Sequence, residues 1–416
     1  MATIAAQITG SHDGVPLRTK LHRVERRRKL RAFILVLPLL LFILTTFVLP
    51  IGRMIFNAVH DDTLLRLMPR TMTEVRAWDG KDLPDESVYA ALAAELKQSW
   101  TQKTAAEIGK RINYELPGAR SQVTSSARKA STLSTGPYKE ALIDIDPLWG
   151  RHDVWSLLKR GSSAYTAYYL LRSVDLQYGP DSQIVASPPE NSIFRNVFLL
   201  TLGISISVTA VTLVLSFPVA YLLATLPERY SNLLMIMVLL PFWTSVLVRT
   251  TAWVVLLQRH GLVNEMLIML HILSQPAELI FNRIGTVVAM THIQLPFTLL
   301  PIYSVMKTIS PSYLRAARSL GAGPFYAFWK VYFPQTLPGI AAGCLLTFIL
   351  CLGYYITPAL VGGAADQMVS YFVAHYTNEE LNWGMASALG AILLTATMLL
   401  YYVFNKLVGA DRIKMG

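Results

Sequence analysis

Long apolar runs alternate with short polar breaks over most of this chain, and one extended polar stretch interrupts the pattern. The runs fall at about 32–56, 193–224, 232–257, 284–306, 338–360 and 384–406. Each is near the roughly 20 residues an α-helix needs to cross a bilayer. The pattern predicts an all-α integral membrane protein with six transmembrane helices. The first run is longer than the apolar core of a secretory signal, and Thr45-Thr46-Phe47-Val48-Leu49-Pro50 offers no small-residue cleavage site. It reads as an uncleaved anchor.

The polar stretch, 57–192, is an insertion between helices 1 and 2. Positions 84–115 predict one long amphipathic helix, with Val88, Ala91, Leu92, Leu96 and Trp100 at helical spacing. The Ser/Thr/Gly-rich segment 121–136 reads as a loop. Segments 142–155 and 164–176 carry the Trp, Tyr and Leu for a small core.

Composition supports the membrane reading, since 53% of the 416 residues are hydrophobic and 15% charged. A net charge of +11 would suit nucleic acid, but its distribution points elsewhere. Arg18, Lys20, Arg23, Arg26, Arg27, Arg28, Lys29 and Arg31 crowd in front of the first apolar run. Lys307, Arg315, Arg318, Lys330, Lys406, Arg412 and Lys414 fall in breaks on the same predicted side, whereas 361–383 holds no Lys or Arg. This is the positive-inside pattern, with both termini cytoplasmic and the 57–192 insertion outside. The expected organisation is a basic cytoplasmic segment 1–31, a first transmembrane helix 32–56, an extracytoplasmic domain 57–192, a core 193–406 and a cytoplasmic tail 407–416. Cys344 and Cys351 share one span, so neither metal site nor disulfide framework is signalled. No phosphate loop and no nucleophile–base arrangement stands out. The expectation is a non-catalytic chain without cofactor or metal.

The break at 307–334 has its own punctuation. Ser310 suits a helix cap, Pro311 the first helical position and Gly321 a left-handed stop. Gly323-Pro324 restarts a second helix, which Pro334 and Pro338 are expected to end. So apolar a loop reads as a knob that plugs into a partner. Leu314, Arg315, Ala316, Ala317 and Gly321, followed after nine intervening residues by Val331-x-Phe333-Pro334, resemble the coupling loop of permease subunits of ATP-driven, binding-protein-dependent importers. In that family the loop docks into a separate ATPase subunit. The family usually has a glutamate before the paired alanines, where this chain has Arg315.

Polar groups inside spans are costly, roughly 2.5–3.5 kcal/mol for a central Arg, and so mark candidates for the transport path. They are Trp243, Thr244, Arg249 and Trp253 in the third span, His292 and Gln294 before Pro296 in the fourth, and Tyr354, Tyr355 and Thr357 before Pro358 in the fifth. Each has a plainer reading as helix packing, interhelical hydrogen bonding or an interfacial aromatic belt. The runs Leu240-Pro241-Phe242-Trp243-Thr244-Ser245 with Arg249, and Gly353-Tyr354-Tyr355-Ile356-Thr357-Pro358, are similar to spermidine/putrescine-type permeases over 193–406. Many such permeases carry an acidic residue where Tyr354 stands.

The resemblance implies the compact permease core of small type I importers, in a bacterial inner membrane. Its implied partners are a second related permease, two ATPase subunits and a periplasmic substrate-binding protein. It implies transport of polyamines. An amino-acid derivative, an opine or a quaternary amine is the alternative cargo, and a non-transporting sensor or scaffold the more distant one.

Overall fold

A computed structural model describes residues 17–133 and 135–408. The side chains of Arg18, Lys20, Arg23 and Arg27, and residues Arg412 and Lys414, lie outside the described residues. The chain forms two units, 1–56 and 57–416. In the first, helix α1 runs from Leu17–Ile43 through a π turn, Leu44–Val48, into Leu49–Asn57. Pro50 explains the π turn, because it lacks the N–H that would close onto the carbonyl four residues back. Thr45 and Thr46 donate hydroxyl hydrogen bonds to the carbonyls of Leu41 and Phe42, at 2.8 and 2.6 Å.

The second unit opens with short helices: α2 (Thr63–Leu67), α3 (Pro69–Ala77), α4 (Glu86–Thr101), α5 (Ala105–Glu115), α6 (Ala119–Ala130), α7 (Tyr138–Ile145), α8 (His152–Gly161) and α9 (Tyr168–Arg172). Helices α2 to α8 surround one apolar core, centred on Leu92, Leu96, Ile108, Ile112, Leu148, Trp149 and Trp155. Glu95 is buried there for a reason the sequence hides. Its carboxylate accepts the N–H groups of Arg70 and Thr71, at 2.8 and 2.9 Å, and so caps α3. A two-stranded hairpin follows, β1 (Leu176–Tyr178) against β2 (Ile184–Ala186), with Leu176 opposite Ala186.

Three sequence expectations for this region are corrected. The predicted helix 84–115 is two helices, because Lys103 turns the backbone into the left-handed region at φ 61°. Trp100 is 41% exposed, since the buried face of α4 runs through Val88, Leu92, Leu96 and Ser99 and leaves Trp100 beside it. The predicted loop 121–136 is largely helix α6. Its buried stripe, Ala119, Val123, Ser126, Ala127 and Ala130, is built from small residues that composition reads as loop.

Among the described residues five helices are long and apolar enough to cross a membrane, and one bent pair brings the number to six. After α1 these are α10 (Phe194–Thr225), the bent pair α11 (Glu228–Leu239) and α12 (Val246–Leu257), then α14 (Arg283–Thr308), α16 (Pro324–Leu352) and α19 (Trp383–Val408). The short helices α13 (Leu262–Met269), α15 (Pro311–Ser319), α17 (Ile356–Val361) and α18 (Val369–Asn378) connect them. Helices α10, α14 and α16 pack closely. Thr298 shares hydroxyl hydrogen bonds with Thr212 at 3.0 Å and Thr347 at 2.6 Å, joining the three. A Cβ on Gly343 would stand 2.5 Å from the Thr298 carbonyl oxygen, so this crossing needs glycine.

The span edges differ from expectation in two places. The third run is not one helix but bends by 97° between Trp243 and Val246. Pro241 opens a short 3₁₀ turn, and Ser245 starts a new helix by accepting the Val248 N–H at 3.2 Å. The fifth span begins at Pro324 rather than near 338, and neither Pro334 nor Pro338 ends it. A π turn, Phe328–Tyr332, absorbs the N–H missing at Pro334, as the π turn before Pro50 does in α1. This span stops at Leu352, and Gly353 to Tyr355 break the backbone before α17.

Candidate transport site and coupling loop

The bend in the third span and the break after the fifth bring distant residues together. Thr250 and Thr357, which lie 107 residues apart, share a buried hydroxyl hydrogen bond of 2.9 Å between α12 and α17. One turn along α12, Trp253 donates its indole N–H to Nδ1 of His292 at 3.2 Å, with the rings edge to face at 5.6 Å. Arg249 lies within electrostatic range of both His292 and Tyr354. The hydroxyl of Tyr354 is buried beside Thr357 without a well-formed hydrogen bond, and Nε of Arg249 is buried without a partner. So Arg249, Trp253, His292, Tyr354 and Thr357 form one cluster, where the bend in the third span and the break after the fifth face the unbroken helix α14.

Other candidates lie elsewhere. Gln294 is 1% exposed with Oε1 unpartnered, two positions from His292 and therefore on the opposite side of α14. Trp243 is 76% exposed, and Thr244 and Tyr355 are also exposed. Thr250, which completes the cluster, went unnoticed in the sequence because nothing distinguishes it from the adjacent Thr251.

The chemistry of this cluster is aromatic and neutral apart from Arg249. Asp and Glu occur between 193 and 406 only at Glu228, Glu265, Glu278, Asp366, Glu379 and Glu380, all near helix ends or in connections. Asp366 is committed to Arg283 at 3.1 Å. Among the described residues no group of three or more His, Cys, Asp or Glu is placed to hold a metal.

At the other end of α10 and α14, α15 follows Ser310, whose hydroxyl accepts the Ser312 N–H at 3.3 Å, and Gly321 reverses the chain at φ 87°. Leu314 is half-buried against the core containing Ala220, Leu223, Ile302 and Met306. Arg315, Ala316 and Gly321 are exposed and Ala317 half-buried. Val331 is half-buried within the π turn and Pro334 is exposed just beyond it. Phe328 holds the start of α16 to α10, meeting Tyr221 edge to face at 5.6 Å. Leu320 is 89% and Phe325 77% exposed, so the tip of the loop is apolar and uncovered.

A third cluster, not anticipated from the sequence, joins the polar insertion to the opposite helix ends. Arg111 is buried between Asp61, which it contacts through Nε, and Glu115 at 3.0 Å. Glu115 also receives Arg160 at 2.8 Å, and Tyr169 donates to Asp61 at 2.8 Å. Asp175 accepts the N–H groups of Phe194 and Arg195 and so caps α10. Tyr168 and Tyr169 pack with Phe194, Val369 and Met385. Burial alone would raise the Asp61 carboxyl, but Arg111 and the hydrogen bonds from Thr63 and Tyr169 outweigh it and hold the pKa below the ordinary 3.8. A lowered folded-state pKa stabilises the fold above the unfolded value, and that contribution is lost as pH falls through the folded one. Thermal melts should therefore fall steeply with acid below about pH 4, and Asp61→Asn should reduce that slope while lowering stability at neutral pH.

The chain belongs to the family of binding-protein-dependent transport system inner membrane components, which it matches over residues 191–413. It is thus a multi-pass inner-membrane permease of binding-protein-dependent type, and most of the 57–192 insertion lies outside the match. Its relatives include the spermidine/putrescine transport system permease protein PotB of Haemophilus influenzae, 34% identical over 220 residues, covering 52% of this chain and 77% of that protein. The inner membrane ABC transporter permease protein YdcU of Escherichia coli K12 is 33% identical over 233 residues, covering 52% and 72%. A solved bacterial alginate ABC transporter, in complex with an alginate-bound periplasmic protein, is 18% identical with a TM-score of 0.42, covering 53% of this chain and 80% of its own.

Proposed function

We propose that this chain is the transmembrane subunit of an ATP-driven importer for polyamines or a closely related nitrogenous solute. The single observation that carries the substrate class is its identity of 34% to a spermidine/putrescine permease over 77% of that relative. The cluster around Trp253, His292 and Tyr354 supports it chemically. Aromatic faces attract alkylammonium groups by cation–π contact, worth roughly 0.5–2 kcal/mol each, and neutral hydroxyls can replace part of their hydration shell. In this reading the cargo passes Trp253, His292, Tyr354 and Thr357, with Trp243, Thr244, Gln294 and Tyr355 exposed to it in other states of the cycle.

The insertion 57–192 lies on the periplasmic side, both termini are cytoplasmic, and the apolar tip at Leu320 and Phe325 docks into an ATPase subunit. Two such subunits serve this chain and a second, related permease. Their closure moves α15 and, through Leu314 and Phe328, the ends of α10, α14 and α16, exchanging inward- for outward-facing states. The insertion, held to the helix ends by Asp175 and by Tyr168 and Tyr169, helps seat the binding protein.

A second cargo reading has an observation of its own. The apolar runs 193–224, 232–257, 284–306, 338–360 and 384–406 hold no Asp or Glu, and Arg249 has an unpartnered buried Nε beside Tyr354, where many polyamine permeases are acidic. That setting suits a solute carrying both an amine and a carboxylate, such as an amino-acid conjugate. Uptake of labelled putrescine and spermidine by cells with and without the chain separates the two. Loss of uptake on deletion, competed only by polyamines, is expected; competition by opines or amino-acid derivatives instead selects the second reading. Tyr354→Ala should raise the KM for the transported amine by roughly 2- to 30-fold, the range one cation–π contact spans. Tyr354→Phe, which keeps the ring, should change it little.

A further inference from the structure

We propose that Arg315 and Arg318 meet carboxylates on the ATPase subunit that receives the loop, so that this subunit presents an acidic docking face. The inference rests on the docking reading above and names the chemistry of the partner surface. From 279 to 365 the chain contains no Asp or Glu. The loop and its flanks carry Lys307, Arg315, Arg318 and Lys330, all exposed. Among the described residues none of these four side chains forms an ion pair or a hydrogen bond with the rest of the chain. Arg315 and Arg318 are three residues apart on a nine-residue helix, and so share a face.

Beside that face stands the apolar tip, with Leu320 89%, Phe325 77% and Tyr326 61% exposed. An apolar plug flanked by two guanidinium groups fits a hydrophobic socket with carboxylates at its rim. Guanidinium can bind each carboxylate through two parallel hydrogen bonds, which fixes orientation as well as attraction. Related loops usually carry a glutamate where Arg315 stands. Here the sign is reversed, so an ATPase matched to such a loop would meet like charge. Anionic lipid headgroups are the competing acceptor. Lys307, at the end of α14, and Lys330, near the start of α16, belong to the spanning helices themselves. Arg315 and Arg318 sit on the separate helix α15, beside the exposed tip.

The test measures binding of the purified ATPase subunit to the full chain in detergent. The double variant Arg315→Glu/Arg318→Glu should weaken binding at least about tenfold, as like charges brought face to face do. Reversing one facing carboxylate of the ATPase to Lys should restore it. Raising salt should weaken the wild-type complex more than the Arg315→Gln/Arg318→Gln complex. Wild-type affinity in the double Glu variant at low salt would overturn the proposal while leaving docking intact. If Leu320→Asp also bound normally, the docking reading itself would fail. If charge reversal spared ATPase binding but lowered uptake only in membranes rich in anionic lipid, the arginines would serve headgroups, and the proposal would be wrong.

Discussion

Gly321→Asp is expected to reduce uptake to background while leaving the protein inserted in the membrane at normal levels. Gly321 adopts φ 87°, and a Cβ there would meet nothing within 4 Å. The backbone cost of a non-glycine residue is about 1–2 kcal/mol, and Asp tolerates the left-handed region better than most. Folding should therefore survive. Docking should not, because a new side chain and a carboxylate would stand at the apolar tip beside Leu320. Gly321→Asn is the control, with similar shape and backbone tolerance but no charge, and should retain partial uptake. Measured together, membrane-fraction abundance and uptake separate failed coupling from failed folding. Normal uptake by Gly321→Asp would remove the docking role of the loop.

Arg111→Leu is expected to produce the largest loss of stability. Its side chain is 6% exposed and compensates Asp61 and Glu115, which are 8% and 9% exposed. It also lies over the rings of Tyr168 and Tyr169, at 5.6 and 6.0 Å. Removing one member of a buried ionic group leaves uncompensated charge and costs about 3–5 kcal/mol. For a domain of this size that corresponds to roughly 10–20 °C in melting temperature. Tryptophan fluorescence of the detergent-solubilised protein reads it directly, because Trp149 and Trp155 are fully buried in the adjoining core. Adding Asp61→Asn and Glu115→Gln to Arg111→Leu should recover part of the loss, since neutral partners no longer need a cation. A shift of only a degree or two in the single variant would mean that the buried network contributes little.

What the sequence revealed follows from the kinds of signal each element carries. Membrane spans announce themselves by length and apolarity, and the helical turn at 310–324 by Ser310, Pro311, Gly321 and Gly323-Pro324, whose conformational preferences are local. The bend at Thr244 and Ser245 escaped notice because both flanking helices are apolar, so the run looks continuous. Pro334 misled in the opposite direction, since a π turn lets the helix pass through it. Helix α6 was hidden because its buried stripe is alanine and serine, supported by the hydrogen bond from the Trp149 indole to Ser126 at 3.0 Å. Glu95 and Arg111 look like surface charges until their partners, distant in sequence, are placed beside them. The candidate cluster was legible residue by residue, as polar groups that are expensive in a membrane. Its assembly was not, because Thr250 meets Thr357 only through the bend in one span and the break after another.

The most direct test of the account is thiol accessibility at that cluster. Cysteine in place of Tyr354, in a chain whose Cys344 and Cys351 are replaced by serine, should react with a small water-soluble thiol reagent in membranes. Saturating transported amine should slow the reaction, and ATP should change its rate as the site alternates in access. A Tyr354→Cys chain that transports normally, and whose thiol reacts at a rate indifferent to amine and ATP, would contradict the claim that cargo crosses the membrane past Tyr354.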